Sequence, residues 1–416
     1  MLPFGKTPPV KVRFAVKVLR IGVLALALGA AGCTGGQPGA ATPVSAGASR
    51  PAATSGDEPS PPTPTLDPAQ ITPILIPIKG DPFTAAVGDF DGDGKLDIAT
   101  ANWDGEISLF IGSGHRTFDR APDLVGELGQ GAIAAADLNA DGRSDIVLAY
   151  LDESDNGKSV DEIVVLLATG DGTFTRIARP AGVDAQALVI ADFDEDHRLD
   201  VATADDGDTV AFFRGIGDGT FADPVRSPTG GPFSSGIDAA DFNGDGHLDV
   251  VTTNSLVGHG RSARTVSILL GRGDGTFRAP GVIAVSAPQP IMPVVADLNG
   301  DGHPDFATPG GGGSNGISAF SGLGDGGFAD AVDFETVPGP HTLVAADFDG
   351  DGNVDLATPA SILFGKGDGT FRPHVDLAES IGWNIAAAAD LDGDGRVDLV
   401  GIRDFTLTLY FNEIPR

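Results

Sequence analysis

Seven times along this chain a short apolar run enters a nonapeptide of carboxylates and glycines, and a second apolar run leaves it. Around DFDGDGNVD, Asp347 to Asp355, the flanks are VAAD before and LATP after. Runs this short, bounded by turn residues, read as strands, so the acidic segment is a loop joining two of them. A third apolar run follows, as in Ile107 to Ile111. It leads to a turn GDGTF at Gly170, Gly217, Gly273 and Gly367, with variants GHRTF at Gly114 and GDGGF at Gly324. Asp-Gly supplies the positive φ of a tight hairpin. The phenylalanines closing these turns, Phe118, Phe174, Phe221, Phe277, Phe328 and Phe371, are expected to pack between neighbouring units.

The other nonapeptides begin at Asp89, Asp137, Asp192, Asp241, Asp297 and Asp390, at intervals of 48, 55, 49, 56, 50 and 43 residues. A period near fifty with several strands per unit is the mark of a propeller blade. The spacing predicts an all-β, seven-bladed β-propeller over 73–416. After the seventh acidic loop only two runs remain, LVGI and TLTLYF, while an unclaimed strand, Pro73 to Lys79, precedes the first. That strand is expected to complete the last blade and close the ring, which removes both exposed sheet edges.

Four like charges within nine residues repel one another unless a cation lies between them. The donors are oxygens alone, which suits a hard ion such as Ca²⁺. First positions are Asp89, Asp137, Asp192, Asp241, Asp297, Asp347 and Asp390, and third positions Asp91, Asn139, Asp194, Asn243, Asn299, Asp349 and Asp392. Fifth positions are Asp93, Asp141, Asp196, Asp245, Asp301, Asp351 and Asp394; ninth positions are Asp97, Asp145, Asp200, Asp249, Asp305, Asp355 and Asp398. The seventh position offers a main-chain carbonyl, from Lys95, Arg143, Arg198, His247, His303, Asn353 and Arg396. Glycine at the sixth allows the tight turn, and only His197 departs from it. Up to seven structural Ca²⁺ are expected, holding the loops in shape by neutralising their repulsion.

These loops resemble the FG-GAP repeat, also called the VCBS repeat, of integrin alpha-subunit propellers and many bacterial surface proteins. The resemblance covers 73–416 and implies the propeller fold, but it does not select a ligand.

Formal charge is −32, from 26 basic and 58 acidic residues, and much of the acid sits in the loops. A surface this acidic argues against binding nucleic acid, which needs a basic stripe. One cysteine, Cys33, excludes internal disulfides. Five basic residues within the first twenty precede an apolar run, Ile21 to Ala31, too short to span a bilayer. Ala30-Ala31-Gly32-Cys33 then resembles a bacterial lipobox. The expectation is a lipoprotein signal over 1–32, lipidation at Cys33, and a disordered Gly/Pro/Ser/Thr-rich tether over 33–72. That places the protein in the bacterial cell envelope, periplasmic or surface-exposed, as a monomer meeting the membrane only through its lipid.

No Ser-His-Asp order, phosphate loop or zinc spacing appears in the sequence, so an enzyme is the less favoured reading. A binding, adhesion or scaffold module for a protein or glycan is favoured, with a carbohydrate-active enzyme or lectin as the alternative. The blade plan puts Trp103, Trp383 and Phe83 on the face opposite the acidic loops, where exposed aromatics would stack on a sugar ring or anchor a protein loop.

Overall fold

The apolar runs pair as antiparallel strands because the loops joining successive runs are too short for a crossover, and the inner ones are buried on both faces between neighbouring sheets. Blade 1 runs Pro82–Gly88, Asp97–Asn102, Ile107–Gly114 and Thr117–Arg120, each strand antiparallel to the next. The same order recurs over 130–180, 185–228, 234–284, 294–335 and 344–376, and a seventh sheet spans 384–410. The fourth strand of that last sheet is Pro73–Pro77, paired with Thr406–Tyr410 from Pro73 opposite Tyr410 to Pro77 opposite Thr406. Proline at both ends suits an edge strand, where no partner needs its amide. The strand ends at Pro77; Ile78 instead donates to the Phe405 carbonyl at 2.8 Å as the chain crosses to blade 1.

This computed structural model describes residues 73–124, 130–152, 160–182, 185–205, 207–254, 264–286, 290–310, 316–337, 339–377, 380–382 and 384–414. Among them there is no helix. The signal, Cys33, the tether and Trp383 lie outside the described residues.

Seven apolar clusters hold the ring together, each between one blade and the next. Within Pro82–Gly88, Ala85 and Val87 join the cluster shared with blade 7, while Phe83 and Ala86 join the one shared with blade 2. A strand that alternates between two cores has no polar face, which is why these runs are apolar throughout. The turn phenylalanines lie in these seams. Phe174 of blade 2 meets Phe90 of blade 1 at 6.0 Å between ring centroids, and Phe328 of blade 5 meets Phe242 of blade 4 at 5.3 Å. Each meeting ring sits second in an acidic loop, so loop and turn lie at the same end of neighbouring blades. Backbone bonds tie them: Gly326 donates to the Phe242 carbonyl at 3.0 Å, and Gly369 to the Leu298 carbonyl at 3.2 Å.

Candidate metal centres

Each acidic loop is built by its carboxylates collecting backbone amides. In the Asp347 loop the amides of Gly350 and Asp351 donate to Asp347 Oδ1 at 2.7 and 3.1 Å, and that of Gly352 to Oδ2 at 3.0 Å. Asp349 Oδ1 accepts from the Asp351 amide at 3.1 Å, and Asp351 Oδ1 from the Asn353 amide at 2.9 Å. First-position carboxylates accept the fifth- and sixth-position amides in every blade, as at Asp89, Asp137, Asp192, Asp241, Asp297 and Asp390, and the fourth-position amide joins them where that residue is glycine. Seventh-position amides, of Lys95, Arg143, Arg198, His247, His303, Asn353 and Arg396, all donate to the fifth-position aspartate.

This wrapping needs positive φ at two places. The sixth position takes it, with Gly352 at 87° and His197 at 67°. The His197 amide still reaches Asp192 Oδ2 at 2.9 Å, so the substitution keeps the loop's bond. The fourth position requires it equally: Gly350 stands at 75°, and even Ala140 at 56° and Glu195 at 60°. The reading of the sequence passed over this second requirement, although glycine in five of the seven loops was the visible signal.

The ninth position behaves differently from the other three. Asp355 is fully buried, accepting the Phe348 amide at 2.8 Å and, from the end of the third strand, the Gly365 amide at 2.7 Å. Asp97, Asp145, Asp200, Asp249, Asp305 and Asp398 repeat this pair of bonds. Each pins its loop to the third strand of its own sheet. Burial pushes Asp97 up to about 6 and Asp355 up to about 7, although the two amide bonds pull the other way. Burial wins because it strips water from the charge, and the neighbouring carboxylates of the same loop push in the same direction.

Carboxylate oxygens converge within 4.8 Å of one another in four loops. The groups are Asp89, Asp91 and Asp97; Asp192, Asp194 and Asp200; Asp347, Asp349 and Asp351; and Asp390, Asp392 and Asp398. The loops at Asp137, Asp241 and Asp297 carry Asn139, Asn243 and Asn299 third, which lowers the charge and keeps an oxygen. Asp194 Oδ1 is buried with no hydrogen-bond partner, an oxygen left for something that is not an N–H. Oxygen-only donors, a clustered negative charge and this orphaned atom fit a hard cation. Bound there, it would neutralise the cluster. Basic side chains already touch several loops: Arg372 reaches Asp349 at 3.2 Å and Asp351 at 3.1 Å, and Arg278 reaches Asp245 at 3.1 Å.

The opposite face corrects part of the aromatic expectation. Phe83 is only 2% exposed, buried at the seam of blades 1 and 2, so it offers no stacking surface of its own. It serves as the floor for half-buried Trp103, with ring centroids 5.1 Å apart, and the Trp103 amide is held by the Asp81 carbonyl at 2.8 Å. Sequence reasoning missed Phe405, which is 59% exposed at the tip of a hairpin in blade 7. Ile78 to Asp81 links the two aromatics, bonded to Phe405 at one end and Trp103 at the other. Elsewhere a groove of about 460 Å³ opens between blades 2 and 3, and Arg179 crosses it to the Phe221 carbonyl and Asp223.

The chain matches the model of the FG-GAP-like repeat over 89–148, 137–203, 192–252 and 256–308, more than half its length. No curated protein matches it. Among solved structures, chains from crystals of BBS1N in complex with ARL6DN, one soaked with mercury and one with lead, superpose with a TM-score of 0.53. They are 10% and 11% identical, cover 82% and 83% of this chain, and are themselves covered over 96% and 97%. Likeness at that identity is likeness of fold. With the repeats matched over that length and seven sheets built around seven equivalent acidic loops, the chain belongs to the FG-GAP-like repeat family.

Proposed function

We propose that this propeller is a calcium-stabilised binding or scaffold module for a protein or glycan, carried at the bacterial cell envelope on a lipidated tether. The observation that carries the binding reading is Trp103, half-buried against Phe83 on the face away from the acidic loops, with Phe405 exposed across the neighbouring seam. A rigid aromatic on a buried floor loses little freedom when it contacts a partner. The acidic loops serve the fold, because their carboxylates fold the loop through its own amides and pin it to the third strand of its sheet.

The test is an array of bacterial and host glycans read beside a pull-down from envelope extracts, each repeated with Trp103→Ala. A ligand whose binding weakens at least about tenfold with Trp103→Ala, a loss of about 1.4 kcal/mol, supports the site. Binding indifferent to Trp103 and Phe405 moves the site elsewhere, and turnover of a polysaccharide replaces this reading with the enzyme. The anchor has its own test: fatty-acid labelling should vanish in Cys33→Ala.

A further inference from the structure

Six of the seven blades carry a turn between third and outer strands, and five of those turns place glycine at the point facing the preceding blade. At two of them the space is too tight for a side chain. A Cβ on Gly219 would lie 2.5 Å from Leu167, and one on Gly275 would lie 2.1 Å from the Phe212 ring. Blade 1 departs from this: its turn reads GHRTF, and Arg116 occupies the glycine's place at φ 65°. An arginine held in the left-handed region is strained, so something must offset that cost.

Its side chain reaches blade 7. Nε donates to Asp392 Oδ2 at 2.7 Å, Nη1 bonds Glu413, and the guanidinium carbon stands 4.9 Å from the centroid of the Phe411 ring. Asp392 is 8% exposed and Arg116 34%, so the pair is partly withdrawn from water, where such bonds are stronger than at an open surface. The contacts span 276 and 297 residues of sequence. This seam also differs in its connection. The chain that crosses it belongs to Pro73–Pro77, which joins the rest of blade 7 by strand pairing and by the packing of Ile74 and Ile76, with no direct chain connection to it. If that strand peels away, no covalent link holds the last blade to the first.

We propose that Arg116 is a latch that closes the ring, clamping blade 1 to blade 7 across the seam where the two ends of the repeat array meet. Arg116→Gly installs the residue of the other turns and relieves the left-handed arginine. If strain were the larger effect, the variant would be the more stable protein. The latch predicts the reverse in calcium-containing buffer: melting about 2 °C or more below wild type. Amide exchange should also become roughly tenfold faster in Thr117–Arg120 and Thr406–Tyr410 while staying unchanged in Gly316–Phe320. Arg116→Met keeps the stem over Phe411 and the left-handed strain but cannot bond either carboxylate, and should also melt below wild type. Three results would overturn the latch. One is Arg116→Gly melting at or above wild type, or loosening all seams alike. Another is Arg116→Met behaving as wild type, which would leave packing alone. The third is an effect confined to EDTA, which would make Arg116 a stand-in for an ion at Asp392.

Discussion

Removing divalent cations should reverse the response of this propeller to acid. The buried ninth-position carboxylates carry the effect. Burial pushes Asp97, Asp145, Asp200, Asp249 and Asp305 up to about 6, and Asp355 and Asp398 up to about 7, from the ordinary 3.8. Because each is raised on folding, the stability tied to it is complete below about pH 4 and is lost between there and the folded values, most of it by pH 6 for five groups and by pH 7 for two. One pH unit inside that window is worth about 1.4 kcal/mol for one group. Water at the exposed side of the loops screens this, and roughly a third of it gives about 3 kcal/mol per unit for the set. At somewhat under 2 °C per kcal/mol for a domain of this size, EDTA-treated protein should melt about 4 °C higher at pH 5 than at pH 6. Calcium changes the sign. A bound cation keeps the carboxylates ionised and protons compete with it, so acid now removes stability. Calorimetry across pH 5 to 8, with EDTA and with calcium, should give curves that converge toward the acid end. Parallel curves, or an EDTA curve falling steadily from pH 7.5 downward, would refute the argument that buried charge in these loops is what the cation relieves.

Other expected outcomes follow from single positions. Ala140→Gly frees a left-handed alanine and should raise the urea midpoint by the equivalent of about 1 kcal/mol, with the loop bonds of Asp137 unchanged. Gly275→Ala should do the opposite, losing about 1–3 kcal/mol as its methyl meets the Phe212 ring. Phe277→Ala, emptying the seam of blades 3 and 4, should cost about 3–5 kcal/mol in the same assay. Trp103→Ala should cost only about 1–2 kcal/mol, since the ring is half-buried at the edge of its cluster; a core-sized loss would show that it is a wedge.

What the sequence determined by itself is everything that depends on neighbours a few residues apart. The bonds from Gly350, Asp351 and Gly352 to Asp347 span three to five positions, so the loop's fold is written in the nonapeptide and repeats with it. The same holds for the turns, whose Asp218 accepts the amide of Thr220 two residues on. Apolar runs too short for helices, at a period near fifty, leave few ways to bury both faces of each sheet, and the propeller is the one that matches. Contacts whose partners are distant in the chain were decided only by the tertiary structure. Asp355 has the same letter as Asp351, yet packing buries it and gives it the Gly365 amide, while Asp351 stays exposed. Phe83 and Phe405 are both phenylalanines on the face away from the acidic loops; the packing of blade 1 on blade 2 covers one, while the hairpin tip leaves the other in water. Arg116 reads locally as an odd residue in a glycine turn. Its partners, 276 and 297 residues away, come within reach only when the ring closes and brings the last blade to the first.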